Sequence, residues 1–177
     1  RQVQISNSWS LEDSLNCLFS VAISMKRLHD SLLIHGNLCP SNILVDKVKQ
    51  CYISDFGLYR IKEIYYKPPF VNPQYSAPEI DPLHPTRATD IFSYGVIMCR
   101  LLQEYFLQGN KYSLVQLIME GCFDFRTLPA FLSEIISQCL EKNPSKRCNF
   151  DFIIQTFQAK SFVIKHINIS DNFYKFT

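Results

Sequence analysis

The 177-residue sequence has little net charge, no C-x-x-C pair and no long uninterrupted apolar run. A formal charge of +2 from 18 basic and 16 acidic residues predicts no strong affinity for nucleic acid or an anionic membrane. The longest apolar stretch, near residues 91–102, is interrupted by Ser93 and Arg100, so we expect no membrane span. The seven scattered cysteines favour buried free thiols in a reducing compartment, and we expect a cytoplasmic location.

The remaining composition suits one folded domain with a hydrophobic core. Hydrophobic residues make up 47% of the chain and aromatic residues 14%, which excludes a disordered polypeptide. The sequence has no internal repeat and no low-complexity segment.

Apolar spacing predicts a mainly helical chain. Steps of three and four indicate a helix over residues 11–29, with Ser10 as N-cap and Asp13 as the acidic N3 residue. Residues 90–102 are apolar nearly all round, which is typical of a buried central helix. Three shorter amphipathic helices are expected near residues 113–120, 130–140 and 150–158.

Two short β-prone runs, Ile43–Val45 and Cys51–Ile53, predict a small hairpin. Residues 32–35 are expected to form a short buried approach to the polar segment before it. Residues 59–76 hold three prolines and four tyrosines with no sustained period, so we expect a loop.

Five short motifs follow one another along the chain. They are HGNLCPSN at residues 35–42, DFG at 55–57, APE at 77–79, D-x-x-S-Y-G from residue 90, and an arginine after N-P at residue 147. Each is weak alone, but in this order they resemble the large, carboxy-terminal lobe of the eukaryotic protein kinases over roughly residues 8–158. The resemblance implies a mainly α fold with a small β-hairpin around the catalytic loop. We expect residues 1–177 to form one kinase-like domain, with residues 159–177 as a tail that the pattern does not place.

The resemblance also implies several structural contacts. His35 would pack beneath Phe56 and join the two loops through the core. Asp90 would hold the catalytic-loop backbone through hydrogen bonds. Glu79 would form a buried ion pair with Arg147 and tie the activation segment to the end of the lobe.

The positions that bind magnesium in the family are filled by Asp55 and Asn42. A carboxylate and an amide carbonyl are suitable ligands for a hard cation. The alternative is that Asp55 is only a solvated turn residue. Leu44 would lie on the floor of the nucleotide cleft. Neither G-x-G-x-x-G nor V-A-I-K occurs, so the small lobe that would cover ATP is absent from these residues. The resemblance leaves Mg²⁺ and ATP binding possible in a complete two-lobe protein, and we expect neither to bind this chain alone.

The positions that perform phosphoryl transfer in the family are altered. Asn37 replaces the Asp that accepts the substrate proton, and Cys39 replaces the Lys that steadies the phosphate. Gly36 replaces the Arg that clasps a phosphorylated loop, and Asn72 replaces the Thr that links the catalytic Asp and Lys. An amide has no basic lone pair, and a thiol is neutral unless its pKa falls. This pattern predicts a pseudokinase, a regulatory or interaction module with protein partners.

Two alternatives stay open. In the first, the chain is part of an authentic ATP-dependent protein kinase that retains residual activity. NPQYSAPE at residues 72–79 resembles the Ser/Thr branch of that family. In the second, the fold is kept only as a structural piece of a larger protein. A measurement of phosphate transfer onto a protein substrate would distinguish the pseudokinase from the authentic kinase. Tyr65 and Tyr66 are either phosphorylation targets or tyrosines packed on the lobe surface.

Overall fold

The computed structural model describes residues 9–63, 71–106 and 113–159. These residues form five α-helices and one two-stranded antiparallel sheet, so the predicted mainly α fold with a small hairpin is confirmed. The elements, in chain order, are α1 (Leu11–Asp30), β1 (Ile43–Val45), β2 (Cys51–Ile53), α2 (Arg87–Phe106), α3 (Leu114–Met119), α4 (Ala130–Cys139) and α5 (Phe150–Ala159).

Helix α1 begins where the sequence predicts. The Ser10 side chain accepts from the Asp13 N–H at 3.1 Å, and the Asp13 carboxylate accepts from the Ser10 N–H at 2.9 Å. This reciprocal capping box satisfies two backbone donors that the helix leaves unpaired. The apolar face of α1 then packs against α5, β2 and α2.

Helix α2 is the buried centre of the fold. Its residues from Thr89 to Cys99 are all buried, and the Tyr94 hydroxyl donates to the Leu18 carbonyl of α1 at 3.0 Å. Gly95 lets α4 approach closely, because a Cβ added there would lie 2.6 Å from the Cβ of Cys139. The prediction of a buried central helix is confirmed.

The two strands pair in one register, in which Leu44 lies opposite Tyr52. Asp46 closes the connection by accepting the backbone N–H groups of Val48 and Gln50, both at 2.9 Å. Lys49 adopts a left-handed φ of 63° in this turn. The hairpin predicted from the two β-prone runs is therefore present.

Two expectations about loops were wrong in part. Leu32 is 75% exposed rather than buried, since a left-handed φ of 58° turns the chain sharply after α1. Residues 59–76 are not all loop, because Leu58–Glu63 forms a 3₁₀ helix. Tyr65 and Tyr66 lie outside the described residues, as does the tail beyond Ala159, where α5 ends.

The seven cysteines are free, and five of them are buried, as the sequence predicted for most of them. Within the described ranges, no helix is both long enough and apolar enough to cross a membrane.

Candidate functional site

A carboxylate from α2 holds the backbone of the HGN loop. Asp90 is 1% exposed, and its two oxygens accept the N–H groups of His35 at 2.8 Å and Gly36 at 2.9 Å. A buried carboxylate needs such donors, because an unpaired charge in the interior is costly. The contact that the sequence predicted for Asp90 is present.

His29 is a third partner of Asp90, which sequence reasoning missed. Its Nε2 lies 2.9 Å from Asp90 Oδ2, and its ring packs edge-on against Phe150 at a centroid distance of 5.1 Å. The backbone carbonyl of His29 accepts from Arg87 at 2.7 Å. The available signal was the position of His29 on the inner face of α1, close to the end of the helix.

Asn37 links the HGN loop to the segment before APE. Its side-chain Oδ1 accepts the backbone N–H of Asn72 at 3.0 Å, and its backbone carbonyl accepts Nδ2 of Asn42 at 2.9 Å. The side chain of Asn72 turns the other way and accepts the N–H of Gln74 at 3.1 Å. Position 72 therefore contacts position 37 through its backbone, whereas the family Thr would use its side chain.

Cys39 lies inside the loop and is only 1% exposed. Its Sγ contacts the Ser41 hydroxyl at 3.0 Å. A side chain so placed does not present its sulfur to a phosphate at the surface. A lysine at this position would have to bury part of its stem or push its ammonium group past the loop.

The DFG turn is joined to the HGN loop by the backbone. The Gly57 N–H donates to the His35 carbonyl at 3.1 Å. Phe56 is 46% exposed, and the packing of His35 beneath its ring stays a prediction. Burial lowers the pKa of His35 although nearby Asp90 acts to raise it, which favours a neutral imidazole.

Asp55 and Asn42 were tested as magnesium ligands on their donor chemistry. The Nδ2 group of Asn42 is used by the Asn37 carbonyl, which leaves Oδ1 as its remaining side-chain polar atom. Asp55 is exposed in a turn with a left-handed φ of 56°, and Ser54 Oγ lies 3.4 Å from one of its oxygens. Two oxygen donors fit a hard cation that keeps phosphate and water as its other ligands. The turn alternative for Asp55 stays open.

A full metal cage is not built by side chains alone. In the part of the chain that the structure describes, no group of three or more His, Cys, Asp or Glu residues is placed to hold an ion.

Leu44 lies on the outer face of the hairpin. Leu44 and its cross-strand partner Tyr52 are each 41% exposed, so together they offer an apolar surface at this edge of the fold. The role of Leu44 as the floor of a nucleotide cleft remains a prediction.

Gly36 lies in a crowded part of the loop, where a side chain would need its neighbours to shift. Its φ is +79°, and an added Cβ would lie 3.0 Å from Pro85 Cγ and 3.1 Å from Tyr59 Cδ1. The left-handed backbone already favours glycine, and the two neighbours leave no cavity beside it. The arginine of the family pattern does not fit here without movement of Pro85 or Tyr59.

Glu79 and Arg147 form the predicted ion pair although 68 positions separate them, but only the Arg147 side chain is buried, and the Glu79 side chain is 31% exposed. Arg147 Nη2 donates to one carboxylate oxygen at 2.9 Å, Nη1 donates to the other and to the Ala88 carbonyl, and Nε donates to the Glu141 carbonyl at 2.9 Å. The guanidinium also lies 4.9 Å above the Phe92 ring. Burial acts to raise the pKa of Glu79, but the hydrogen bonds and charge of Arg147 lower it overall.

The comparisons with known proteins agree with this geometry. A family model described as protein tyrosine and serine/threonine kinase matches residues 3–157. A Dictyostelium discoideum protein named as a probable serine/threonine-protein kinase is 33% identical over 157 residues, which cover 82% of this chain. Ephrin type-A receptor 3 of Danio rerio is 28% identical over 158 residues, covering 80% of this chain.

The chain is short beside these relatives. It spans 10% of the length of the Dictyostelium protein and 16% of the length of the ephrin receptor. It spans 40% of the phosphorylase b kinase gamma catalytic chain, liver/testis isoform, of Bos taurus, to which it is 25% identical over 163 residues. The family match extends over most of the chain and includes the HGN, DFG and APE segments. This chain belongs to the protein kinase family.

Proposed function

We propose that this chain is the large lobe of a pseudokinase, which acts through protein partners and has lost efficient phosphoryl transfer. The observation that carries the proposal is the use of Asn37. Its amide oxygen is engaged by the Asn72 N–H, and an amide has no basic lone pair with which to accept a substrate proton. The hydrogen bond between Asn37 and the Asn72 N–H is present, but the Asp that serves as the general base in the family is missing.

Two further features support the proposal. Cys39 is buried against Ser41, so the position that would steady the transferred phosphate carries a buried thiol in place of a lysine ammonium group. Gly36 stands where the family has the arginine that clasps a phosphorylated loop, and its left-handed φ and the closeness of Pro85 and Tyr59 disfavour a larger residue there. The contacts that build the fold, by contrast, remain complete at Asp90.

The second candidate is an authentic kinase with residual activity, and Asn42 and Asp55 favour it. These residues would hold the magnesium ion of a nucleotide, which neutralises phosphate charge when bound. Loss of a general base typically costs about 10²–10⁴-fold in rate, so positioning and metal still leave room for slow transfer. In this candidate Leu44 contacts the base of the nucleotide.

We extend the proposal to ligands and location. The isolated residues 1–177 bind no Mg²⁺-ATP at millimolar concentration. Without a small lobe to exclude water the phosphates stay hydrated, and the two protein oxygen ligands compete poorly with solvent oxygens for the cation. A thermal shift above a few degrees with Mg²⁺-ATP would contradict this. The free thiols support a reducing compartment, and we propose the cytoplasm.

The test of catalysis uses the domain joined to a kinase small lobe, either its own in a longer polypeptide or one fused to it. Transfer of labelled phosphate from ATP to a generic protein substrate is compared among wild type, Asn37→Asp, Asn37→Ala and Asp55→Ala. We expect wild type to match Asp55→Ala at background. Asn37→Asp keeps an acceptor for the Asn72 N–H and supplies a base, so we expect it to raise transfer above wild type.

Wild-type turnover that survives Asn37→Ala and is lost in Asp55→Ala would overturn the pseudokinase proposal. That result would favour the second candidate, with metal-driven transfer that needs no base. Thermal melting of each variant provides the control, because a loss of activity counts only when the variant remains folded.

A further inference from the structure

Two pairs of cysteine sulfurs lie close together, apart from the residues discussed above. Cys17 and Cys51 are 2.7 Å apart between α1 and β2, and Cys139 and Cys148 are 3.8 Å apart between the end of α4 and the segment before α5. Nothing in the kinase assignment uses either pair. They differ in exposure, and this difference decides which of them can react in the folded protein.

Only the second pair includes a residue that is not fully buried. Cys17 and Cys51 are each 2% exposed, and Cys139 is fully buried, but Cys148 is partly exposed. We therefore expect a small oxidant to react with Cys148 first, with the Cys139 sulfur 3.8 Å away. An accessible thiol beside a second, buried thiol is the arrangement that turns a reversible oxidation into a disulfide.

We propose that Cys139 and Cys148 form a redox modification site, in which hydrogen peroxide converts the two thiols into a reversible disulfide. The proposal goes beyond the kinase assignment and is independent of whether the domain transfers phosphate. It assigns Cys148 as the thiol that reacts with peroxide and Cys139 as the thiol that resolves the product.

The chemistry balances in two steps. The Cys148 thiolate attacks one peroxide oxygen, the O–O bond breaks, and the departing hydroxide takes a proton to form water, leaving a sulfenic acid. The sulfur of Cys139 then attacks the Cys148 sulfur and loses its proton, while hydroxide leaves and forms the second water. The two thiols lose two electrons, and one peroxide is reduced to two waters.

The protonation states support these roles. The hydrogen bond with Cys139 lowers the pKa of Cys148, although burial acts to raise it. Burial raises the pKa of Cys139 well above its ordinary value, so this sulfur keeps its proton and donates. Cys148 therefore forms the attacking thiolate more readily than Cys139 does.

The packing shows which side must move. Cys139 is fixed against α2, because its Cβ lies only 2.6 Å from where a Cβ on Gly95 would be. A disulfide needs a sulfur–sulfur bond of about 2.05 Å, so the 3.8 Å separation has to shorten. Cys148 lies outside the regular helices, and the movement falls on it and its neighbours.

The site is coupled to the ion pair that anchors the APE segment. Cys148 directly follows Arg147, whose guanidinium binds Glu79 and the Glu141 carbonyl. A disulfide would close the chain from position 139 to position 148 and fix the loop that carries Arg147. Oxidation would therefore stabilise the attachment of Glu79 to the lobe.

The test treats the reduced chain with one to a few equivalents of hydrogen peroxide, followed by blocking of free thiols and digestion with trypsin. The sequence places Cys139 in the peptide 127–142 and Cys148 in the peptide 148–160, so the disulfide links two separate peptides. We expect this linked pair to dominate in wild type and to disappear on reduction with dithiothreitol. Cys122→Ser removes the exposed thiol and should leave the linked pair unchanged.

Two variants separate the two roles. In Cys139→Ala, dimedone should trap a sulfenic acid at Cys148 that wild type does not accumulate. In Cys148→Ser, which alters a partly exposed position and leaves the buried one intact, peroxide should leave Cys139 as a free thiol. The proposal is overturned if wild type yields no linked pair, if Cys148 links to another cysteine instead, or if Cys139→Ala traps no more sulfenic acid than wild type.

Thermal melting tests the coupling to the fold. Closing a loop of this size constrains the unfolded chain, so the oxidised protein should melt about 5–10 °C higher than the reduced protein. The shift should be absent in Cys148→Ser and present in Cys122→Ser. An oxidised wild type that melts at or below the reduced protein would overturn the proposed stabilisation of the Arg147 loop.

Discussion

Replacement of Arg147 by alanine tests the anchor between the APE segment and the end of the lobe. The Arg147 side chain has no exposed surface, whereas the Glu79 side chain is 31% exposed. The variant leaves Glu79 without its cation and leaves the Ala88 and Glu141 carbonyls without their donor. Removing one partner of a buried ion pair lowers the free energy of unfolding by about 3–5 kcal/mol. Because Glu79 is partly exposed, we expect a loss at the lower end of this range, about 3 kcal/mol.

The assay is thermal and urea unfolding of the purified chain. A loss of about 3 kcal/mol should lower the Tm by about 6–12 °C in a domain of this size. Arg147→Lys should lie between wild type and Arg147→Ala, since an ammonium group can pair with Glu79 but cannot reproduce the fork that reaches four oxygens. Helix content by circular dichroism should not change at low temperature.

A matched control exists at the surface. Arg126 binds Asp124 with comparable hydrogen bonds, but its side chain is 90% exposed. Arg126→Ala should leave the Tm unchanged, because exposed ion pairs contribute little to stability. If Arg147→Ala costs no more than Arg126→Ala, the reasoning that links burial of the APE anchor to stability is refuted.

Three further predictions use the same measurements. The difference in the free energy of unfolding between wild type and Arg147→Ala should shrink as the pH falls below about 4.5. The lowered pKa of Glu79 gives a contribution to stability that is complete above the unfolded pKa and is lost as the carboxylate protonates. An unchanged difference at pH 3 would contradict this. Gly95→Ala should lower stability by about 1–3 kcal/mol in urea unfolding, since its Cβ would collide with Cys139, and a stabilised variant would refute the close packing. Asp90→Asn should cost about 3 kcal/mol, because an amide NH₂ replaces one acceptor oxygen in a buried site, and unaltered unfolding would contradict that role.

The helices were predictable from sequence because their apolar periodicity is strong. Helix α1 was expected over residues 11–29 and occupies Leu11–Asp30, with its capping box in place. Helix α2 begins three residues before the expected start, at Arg87. The missed signal was a pair of threonines, since the N–H groups of Thr86 and Thr89 each donate to the hydroxyl of the other residue.

The long-range contacts of the site divide into two kinds. The contacts of Asp90 and of the Glu79–Arg147 pair were predictable, because the family motifs assign each of these residues a specific partner. The contact between His29 and Asp90 joins residues 61 apart and has no spacing rule behind it. The exposure of Phe56 was equally invisible, because a motif identifies a residue but does not supply the surface that would cover its ring.

Asn37 explains why the fold and the chemistry of this loop can be judged separately. The fold needs an acceptor at this position for the Asn72 N–H, and an amide oxygen serves as well as a carboxylate oxygen. Proton transfer needs basicity, which the amide lacks. A substitution from Asp to Asn therefore keeps the hydrogen bond between the side chain at position 37 and the Asn72 N–H while removing the base. The loop stays ordered in its kinase arrangement, and its geometry alone is no measure of catalysis.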